Sequence, residues 1–84
     1  MERYNKQFGI VSKDILTDPE LSMQAKAVYA ILCTYCNSER TCFPSISTIA
    51  DLCDVNPRTI SRKLKELKQK GYIKRVGRKF LVVW

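Results

Sequence analysis

The segment Ser45–Leu67 constrains the fold more than any other part of this 84-residue chain. Apolar residues recur there at helical spacing on both sides of residues 54–56, which predicts two short helices joined by a tight turn. Two helices packed in this way need a small residue where they touch, a turn residue that tolerates positive φ, and an apolar residue that anchors the turn. Ala50, Asp54 and Val55 occur in that order.

Capping residues indicate the ends of the first of these helices, which we predict over residues 45–53. Ser45 can accept a hydrogen bond from a free backbone N–H at the start of the helix. Asp54 stands where glycine is usual, because aspartate also accepts left-handed backbone geometry. The expected inner face consists of Ile46, Ile49, Ala50, Leu52 and Cys53.

The second helix is predicted over residues 57–70. Asn56 is its expected N-cap, and Pro57 occupies the first helical position, where its missing N–H costs nothing. Gly71 ends the helix because glycine readily adopts positive φ. Its expected core stripe consists of Ile60, Leu64 and Leu67. The pair therefore has the pattern of a helix-turn-helix element.

The flanking sequence predicts one helix before this pair and a hairpin after it. A first helix is expected over residues 22–36, with an inner stripe of Ala25, Val28, Tyr29, Leu32 and Cys36. Residues 72–84 contain two β-prone runs around Gly77-Arg78, which is typical of a type II′ hairpin turn. Residues 1–11 give little signal, and residues 1–20 are expected to form an N-terminal arm, with a helical turn from Ser12 to Leu16. A brief strand is expected at residues 41–43.

The net charge of +7 is concentrated in the C-terminal third of the chain. Residues 1–55 contain five basic and seven acidic residues, whereas residues 56–84 contain ten basic residues against Glu66 alone. Such asymmetry indicates a polyanionic partner, nucleic acid in the first place and an anionic membrane in the second. A basic run is often only a solvated helix face, but ten like charges with one counter-charge are harder to explain in that way.

The second helix of the pair is amphipathic. At about 100° per residue, the side opposite its apolar stripe is polar throughout. Arg, Ser, Lys and Gln are residue types that contact base edges and phosphates in a DNA major groove, although Ser61 and Gln69 are equally compatible with a solvated surface. The predicted outward face consists of Arg58, Ser61, Arg62, Lys65 and Gln69.

These positions are predicted to differ in role. The N-terminal half of a docked recognition helix lies deepest in the groove, so Arg58, Ser61 and Arg62 are candidates for base contacts. Thr59 lies to one side and is expected to bind a phosphate or brace the turn. Phosphate contacts supply affinity without sequence information, and they are expected for Lys65, Lys68, Lys70, Arg75, Arg78 and Lys79, the last three at the hairpin tip.

The four cysteines have the spacing C-x2-C-x5-C-x10-C, and four thiolates can hold zinc. However, Cys36 and Cys53 fall on expected inner faces, where a free cysteine behaves as a small apolar residue. We therefore predict no zinc site and no cofactor. The chain has no histidine to serve as a base, and it has no carboxylate pair or glycine-rich loop. We accordingly expect neither an enzyme nor a small-molecule substrate.

No apolar run approaches the roughly 20 residues of a membrane span, and the first residues lack the apolar core of a signal peptide. The expectation is a cytoplasmic protein with reduced thiols and no membrane partner.

Three groups of residues together cover about residues 8–76. The first is Leu21-Ser22-x3-Lys26-Ala27-Val28-Tyr29-Ala30-x-Leu32, and the second is Cys42-Phe43-Pro44-Ser45 followed by Ile49-Ala50. The third is Arg58-Thr59-Ile60-Ser61-Arg62-x-Leu64-x2-Leu67-x3-Gly71-Tyr72-Ile73. In these groups the chain resembles the winged helix-turn-helix domains found at the head of phage and plasmid replication proteins.

The resemblance implies an α+β fold, mostly α, with a three-helix core, a recognition helix from Pro57 and a C-terminal β-hairpin as the wing. It assigns DNA contact to Arg58, Thr59, Ser61 and Arg62. The chain departs from the family at two positions. Asp54 replaces the usual glycine, and Lys63 occupies a place that is more often small or apolar, which predicts a slightly different seating of the helix.

We therefore expect a single winged helix-turn-helix domain over residues 1–84 that binds double-stranded DNA, at repeated or palindromic sites, in phage or plasmid replication initiation. A homodimer on DNA and replication proteins are the further partners expected. Transcriptional regulation is the first alternative, because related wings occur in regulators, and binding of RNA or an acidic protein is the second. Replication proteins of this kind usually carry further domains, so the chain is either a domain of a longer protein or a free-standing small regulator.

Overall fold

The computed structural model describes residues 11–36, 41–42 and 45–83. In this part of the chain, the elements are α1 (Lys13–Leu16), α2 (Met23–Tyr35), β1 (Thr41–Cys42), α3 (Ile46–Cys53), α4 (Pro57–Gln69), β2 (Ile73–Val76) and β3 (Lys79–Val82). The expectations for residues 1–10, 43–44 and 84 lie outside the described residues. Helices α2, α3 and α4 pack against one another, and a small antiparallel sheet adjoins them. The predicted α+β winged helix-turn-helix fold is confirmed.

Helix α2 lies at the centre of the core. Ser22 caps it, since the Ser22 side chain accepts a hydrogen bond from the Ala25 N–H at 3.1 Å. Its buried residues are Ala25, Val28, Tyr29, Leu32 and Cys33. Cys36, also predicted for this stripe, is half-buried and packs against the core, but it follows the helix as its C-cap. The helix ends at Tyr35, the backbone of Cys36 is extended (ψ 143°), and Cys33 occupies the inner position one turn earlier.

Helix α3 buries Ile49 and Ala50, and Ile46 and Cys53 pack partly against the core. The prediction that Leu52 faces inward was wrong, because 59% of this residue is exposed. At about 100° per residue, Leu52 lies well to one side of the direction in which Ile49 and Ala50 point. A helix of two turns has one narrow buried face, and Leu52 falls outside it.

The ends of α3 and α4 share one geometry. Asp54 has φ 55° and ψ 46°, and Gly71 has φ 80°. The Val55 N–H donates to the Ala50 carbonyl at 3.1 Å, and the Tyr72 N–H donates to the Leu67 carbonyl at 3.0 Å. The Asp54 N–H also donates to the Asp51 carbonyl, and the Gly71 N–H to the Lys68 carbonyl. Both ends are therefore Schellman motifs. Left-handed residues therefore direct the chain from α3 into α4 and from α4 into the sheet.

The sheet has the strand order β1-β3-β2 and is antiparallel throughout. Strands β2 and β3 form the expected hairpin, with Val76 opposite Lys79 and Gly77-Arg78 between them. Gly77 has φ 62°, and no positive φ occurs at Arg78, which is the combination found in a type II′ turn. The predicted brief strand is present as β1, and its pairing with β3 makes the wing a three-stranded sheet rather than a hairpin alone.

The described part of the expected N-terminal arm packs onto the core rather than standing apart from it. Ile15 in α1 is 1% exposed, and Leu21 is 4% exposed. Val11 also packs against this cluster. Among the described residues, none of the helices has the length and apolar character that a membrane crossing requires.

Candidate nucleic-acid interface

Helix α4 is fixed on one side and solvated on the other. It packs against α2, α3 and β2 through Ile60, Leu64 and Leu67, all buried. The Asn56 side chain accepts a hydrogen bond from the Arg58 N–H at 2.8 Å, which defines the start of the helix. The five residues of the predicted outward face are all exposed: Arg58, Ser61, Arg62, Lys65 and Gln69. We call these five residues the α4 face.

The cations of the α4 face differ from Lys63 and Lys70 in their ion pairing. Lys70 pairs with Glu20 at 3.2 Å, and Lys63 pairs with Glu66 at 3.7 Å. For Arg58, Arg62 and Lys65, in contrast, no ion pair with a carboxylate occurs within the described ranges. No described acidic residue therefore neutralises the positive charge of the α4 face. The electrostatic potential at this surface is positive and would attract an anionic partner.

Thr59 lies off the α4 face. It is half-buried and lines a groove of about 420 Å³ between α2, α3 and α4. Lys63 lines the same groove. The family more often has a small or apolar residue at this position, and here the lysine charge is paired with Glu66. The position of Thr59 favours the bracing role over a contact shared with Arg58 and Arg62.

The three cations predicted to cluster at the hairpin tip all lie in or beside the wing turn, but they do not share one face of the sheet. Cross-strand neighbours share a face of the sheet, and successive residues alternate between faces. Arg75 is opposite Phe80 on the face directed at the core, whereas Lys79 is opposite Val76 on the other face. Arg78 lies in the turn and is exposed. The prediction grouped these residues because they are close along the chain. The strand register, which places Arg75 and Lys79 on opposite faces of the sheet, was not known from the sequence.

A comparison with known families decides the class of this arrangement. Residues 20–73, from the loop before α2 to the start of β2, match the family model described as a helix-turn-helix domain. The chain belongs to the helix-turn-helix domain family. No curated protein and no solved structure matches it significantly. The matched range contains the entire α4 face and ends before the wing turn.

Two contacts that the sequence did not indicate join α4 and the base of the wing to the segment around the start of α2. Glu66 of α4 accepts hydrogen bonds from the Ser22 N–H at 3.0 Å and from the Ser22 hydroxyl at 3.1 Å. The bond from the Ser22 backbone is the largest cause that holds the pKa of the Glu66 carboxyl below its ordinary value, and Lys63 adds to it. In sequence, Glu66 was only the single acid of a basic segment.

The second contact joins the base of the wing to the loop before α2. The Tyr72 hydroxyl donates a hydrogen bond to the Asp18 carboxylate. This bond lowers the pKa of Asp18 and raises the pKa of the Tyr72 phenol, because it favours the charged carboxylate and the protonated phenol. The Tyr72 ring also meets Tyr29 edge-on, with centroids 6.4 Å apart. No local pattern indicates a contact across 54 positions.

The cysteines lie in different environments. Cys33 and Cys42 are buried, and Cys36 and Cys53 are half-buried. The Cys42 thiol lies 3.8 Å from the Phe80 carbonyl oxygen, between strands β1 and β3. Within the described part of the chain, no three His, Cys, Asp or Glu residues are grouped so that they could hold a metal ion. Cys33 and Cys42 take the role of small apolar residues in the core.

Proposed function

We propose that this helix-turn-helix domain binds double-stranded DNA through the α4 face and the wing. The observation that carries the proposal is the α4 face itself, a row of exposed cationic and polar side chains on a helix held by three other elements. Membership of the helix-turn-helix domain family supports DNA as the partner. The role is that of a binding module without a catalytic site or cofactor.

The residues of the α4 face are assigned different roles, according to how deeply each would enter the major groove. Arg58, Ser61 and Arg62 lie in the N-terminal half of α4, the part that contacts base edges in docked recognition helices. Lys65 and Gln69 lie later and are assigned to the DNA backbone, together with the exposed Lys68. Arg78 and Lys79 of the wing are assigned to neighbouring phosphates.

The salt dependence of binding to a random duplex tests DNA binding. About five or six phosphate contacts predict a log–log slope of the association constant against salt of roughly −4 to −6. Substitution of Arg58 and Arg62 together by alanine should weaken binding strongly. Lys70→Ala is the control. A phosphate contact was expected for Lys70 from the sequence, but Lys70 is the C-cap of α4 and pairs with Glu20, so we assign it none. A flat salt response, or equal losses in both variants, contradicts the proposal.

For the process served, we propose initiation of phage or plasmid DNA replication at repeated sites, with a homodimer on DNA and replication proteins as further partners. The resemblance of the Arg58–Ile73 region and of α2 to the heads of such replication proteins supports this choice. Selection of bound sequences from a random duplex library distinguishes it from its alternative. Direct repeats favour an origin, whereas a single palindrome favours a transcriptional regulator that binds an operator as a dimer.

A parallel selection tests whether the partner is RNA rather than duplex DNA. A library of single-stranded and structured RNA, offered in parallel with duplex DNA at equal salt, measures whether the basic surface prefers duplex DNA. Preference for RNA would contradict the proposed function even if the salt dependence were steep, because any polyanion gives a steep salt dependence.

A further inference from the structure

Arg75 makes two contacts within the wing. Its guanidinium lies over the Phe80 ring, 5.3 Å from the ring centroid. Its Nε–H donates a hydrogen bond to the Gly77 carbonyl at 3.1 Å. The first contact crosses from β2 to β3, and the second spans the start of the turn. One side chain thus connects both strands to the turn between them.

The chemistry of these contacts is specific to arginine. A planar guanidinium stacks on an aromatic face and still has donors in its own plane for a carbonyl, whereas an ammonium group is a compact, strongly hydrated charge. The two-residue turn has its one positive φ at Gly77, as a type II′ turn requires, and the bond from Arg75 holds the carbonyl of this first turn residue. The next residue along the chain is Arg78, which the turn presents to solvent.

We infer that Arg75 is a positioning residue that fixes the wing turn and aims Arg78 at a DNA phosphate. The inference rests on the proposed function, in which Arg78 is a phosphate contact. Arg75 lies on the core-facing side of the sheet and Arg78 in the turn, so the two cations are not a pair of equivalent phosphate contacts. Loss of Arg75 removes the effect of Arg78 although the Arg78 side chain remains.

A double-mutant cycle measured as salt slopes tests this coupling. Each phosphate contact contributes about 0.9 to the log–log slope for duplex DNA. Arg78→Ala should make the slope shallower by about 0.9, and Arg75→Ala should have nearly the same effect. The double variant should lose no more than either single variant. Losses that add overturn the inference, because independent contacts add. An unchanged slope in Arg75→Ala also overturns it.

Arg75→Lys separates charge from geometry. If Arg75 contacted a phosphate through its charge, lysine would largely restore the wild-type slope. If Arg75 is a positioning residue, lysine should behave like alanine. A lysine ammonium group cannot stack flat on the Phe80 ring and at the same time donate the in-plane bond that the arginine Nε–H makes. Thermal unfolding of each variant establishes that the core is intact before slopes are compared. Restoration by lysine overturns the inference.

Hydrogen exchange without DNA provides a readout that does not depend on the proposed function. Arg75→Ala should speed exchange of the Val76 and Lys79 amides, which flank the turn, whereas Arg78→Ala should leave them unchanged. If DNA binding by the wild-type protein does not depend on salt, the proposed function fails. If the Val76 and Lys79 amides then also exchange equally fast in the two variants, Arg75 does not fix the wing turn either. With a flat salt response, faster exchange only in Arg75→Ala would show that Arg75 fixes the wing turn without a role in DNA binding, which would overturn the aiming of Arg78 at DNA.

Discussion

The Glu66 carboxylate in α4 accepts two hydrogen bonds from Ser22, the N-cap of α2. In a capping box, a glutamate three residues after the N-cap accepts the bond from the backbone N–H of the N-cap residue. Ala25 occupies that position here, and it donates its own N–H to the Ser22 side chain. Glu66 supplies the missing acceptor from another helix, 44 positions along the chain. The capping of α2 therefore also fixes how α4 lies across it.

Glu66→Gln should lower the free energy of unfolding at neutral pH and make that free energy fall less steeply as the pH is lowered. The folded state lowers the pKa of Glu66, chiefly through the bond from the Ser22 backbone N–H. The associated stabilisation is complete well above the ordinary glutamate value of 4.5. It is lost as the pH falls below that value through the lower folded-state pKa. Urea unfolding at a series of pH values measures both effects, with an expected loss of about 1–3 kcal/mol at pH 7.

Glu20→Gln is the matched control for this prediction. Glu20 also accepts from a lysine, but 81% of its side chain is exposed, so the pair with Lys70 contributes at most about 1 kcal/mol. If Glu66→Gln and Glu20→Gln gave the same pH profile, the bonds to Ser22 would contribute nothing beyond an ordinary surface charge.

The two left-handed helix ends predict opposite responses to substitution. Asp54→Gly should stabilise by about 0.5–1 kcal/mol, because left-handed backbone costs residues with a Cβ roughly 1–2 kcal/mol and the unfolded entropy of glycine offsets part of this. Gly71→Ala should destabilise by about 1 kcal/mol. An added Cβ at Gly71 meets nothing within 4 Å, so the loss isolates backbone strain. Denaturant midpoints decide, and a destabilised Asp54→Gly would mean that the aspartate side chain stabilises the turn.

The features that sequence could predict are those encoded locally. The bounds and faces of α4 follow from Asn56, Pro57 and Gly71 and from an apolar stripe that recurs over about two turns. The left-handed turn at Asp54 is equally local. The α4 face was accordingly placed outward from the sequence alone, as the structure has it.

The features that the sequence did not predict depend on residues far apart or on very short elements. The pairing of β1 with β3 involves only two residue pairs, Thr41 with Leu81 and Cys42 with Phe80, and a strand of two residues has almost no periodicity. The Glu66 bond to Ser22 depends on how two helices cross. The separation of Arg75 from Lys79 depends on strand register, which a charge count along the chain does not contain.

Leu52 tests the corrected face of α3. Because 59% of Leu52 is exposed, Leu52→Gln should change the free energy of unfolding by less than about 0.5 kcal/mol. Ile49 is fully buried, and Ile49→Ala should cost about 2–5 kcal/mol. The contrast between two aliphatic residues of one short helix is measured by urea unfolding under identical conditions. A large loss for Leu52→Gln would return that side chain to the core.

Arg62 provides the sharpest test of the α4 face. On the selected cognate duplex, Arg62→Ala should lose about 1–3 kcal/mol of binding free energy and relax the base preference at one position, because an arginine on a base edge discriminates while it binds. Arg62→Lys should recover the non-specific binding but not the preference, since lysine lacks the planar bidentate fork. Competition binding against single-base variants of the site measures each loss. Lys65→Ala is the control, with an equal loss on all sequences expected from a phosphate contact. If Arg62→Ala gave the same uniform loss, Arg62 would contact the DNA backbone, and base contacts would have to come from Arg58 and Ser61.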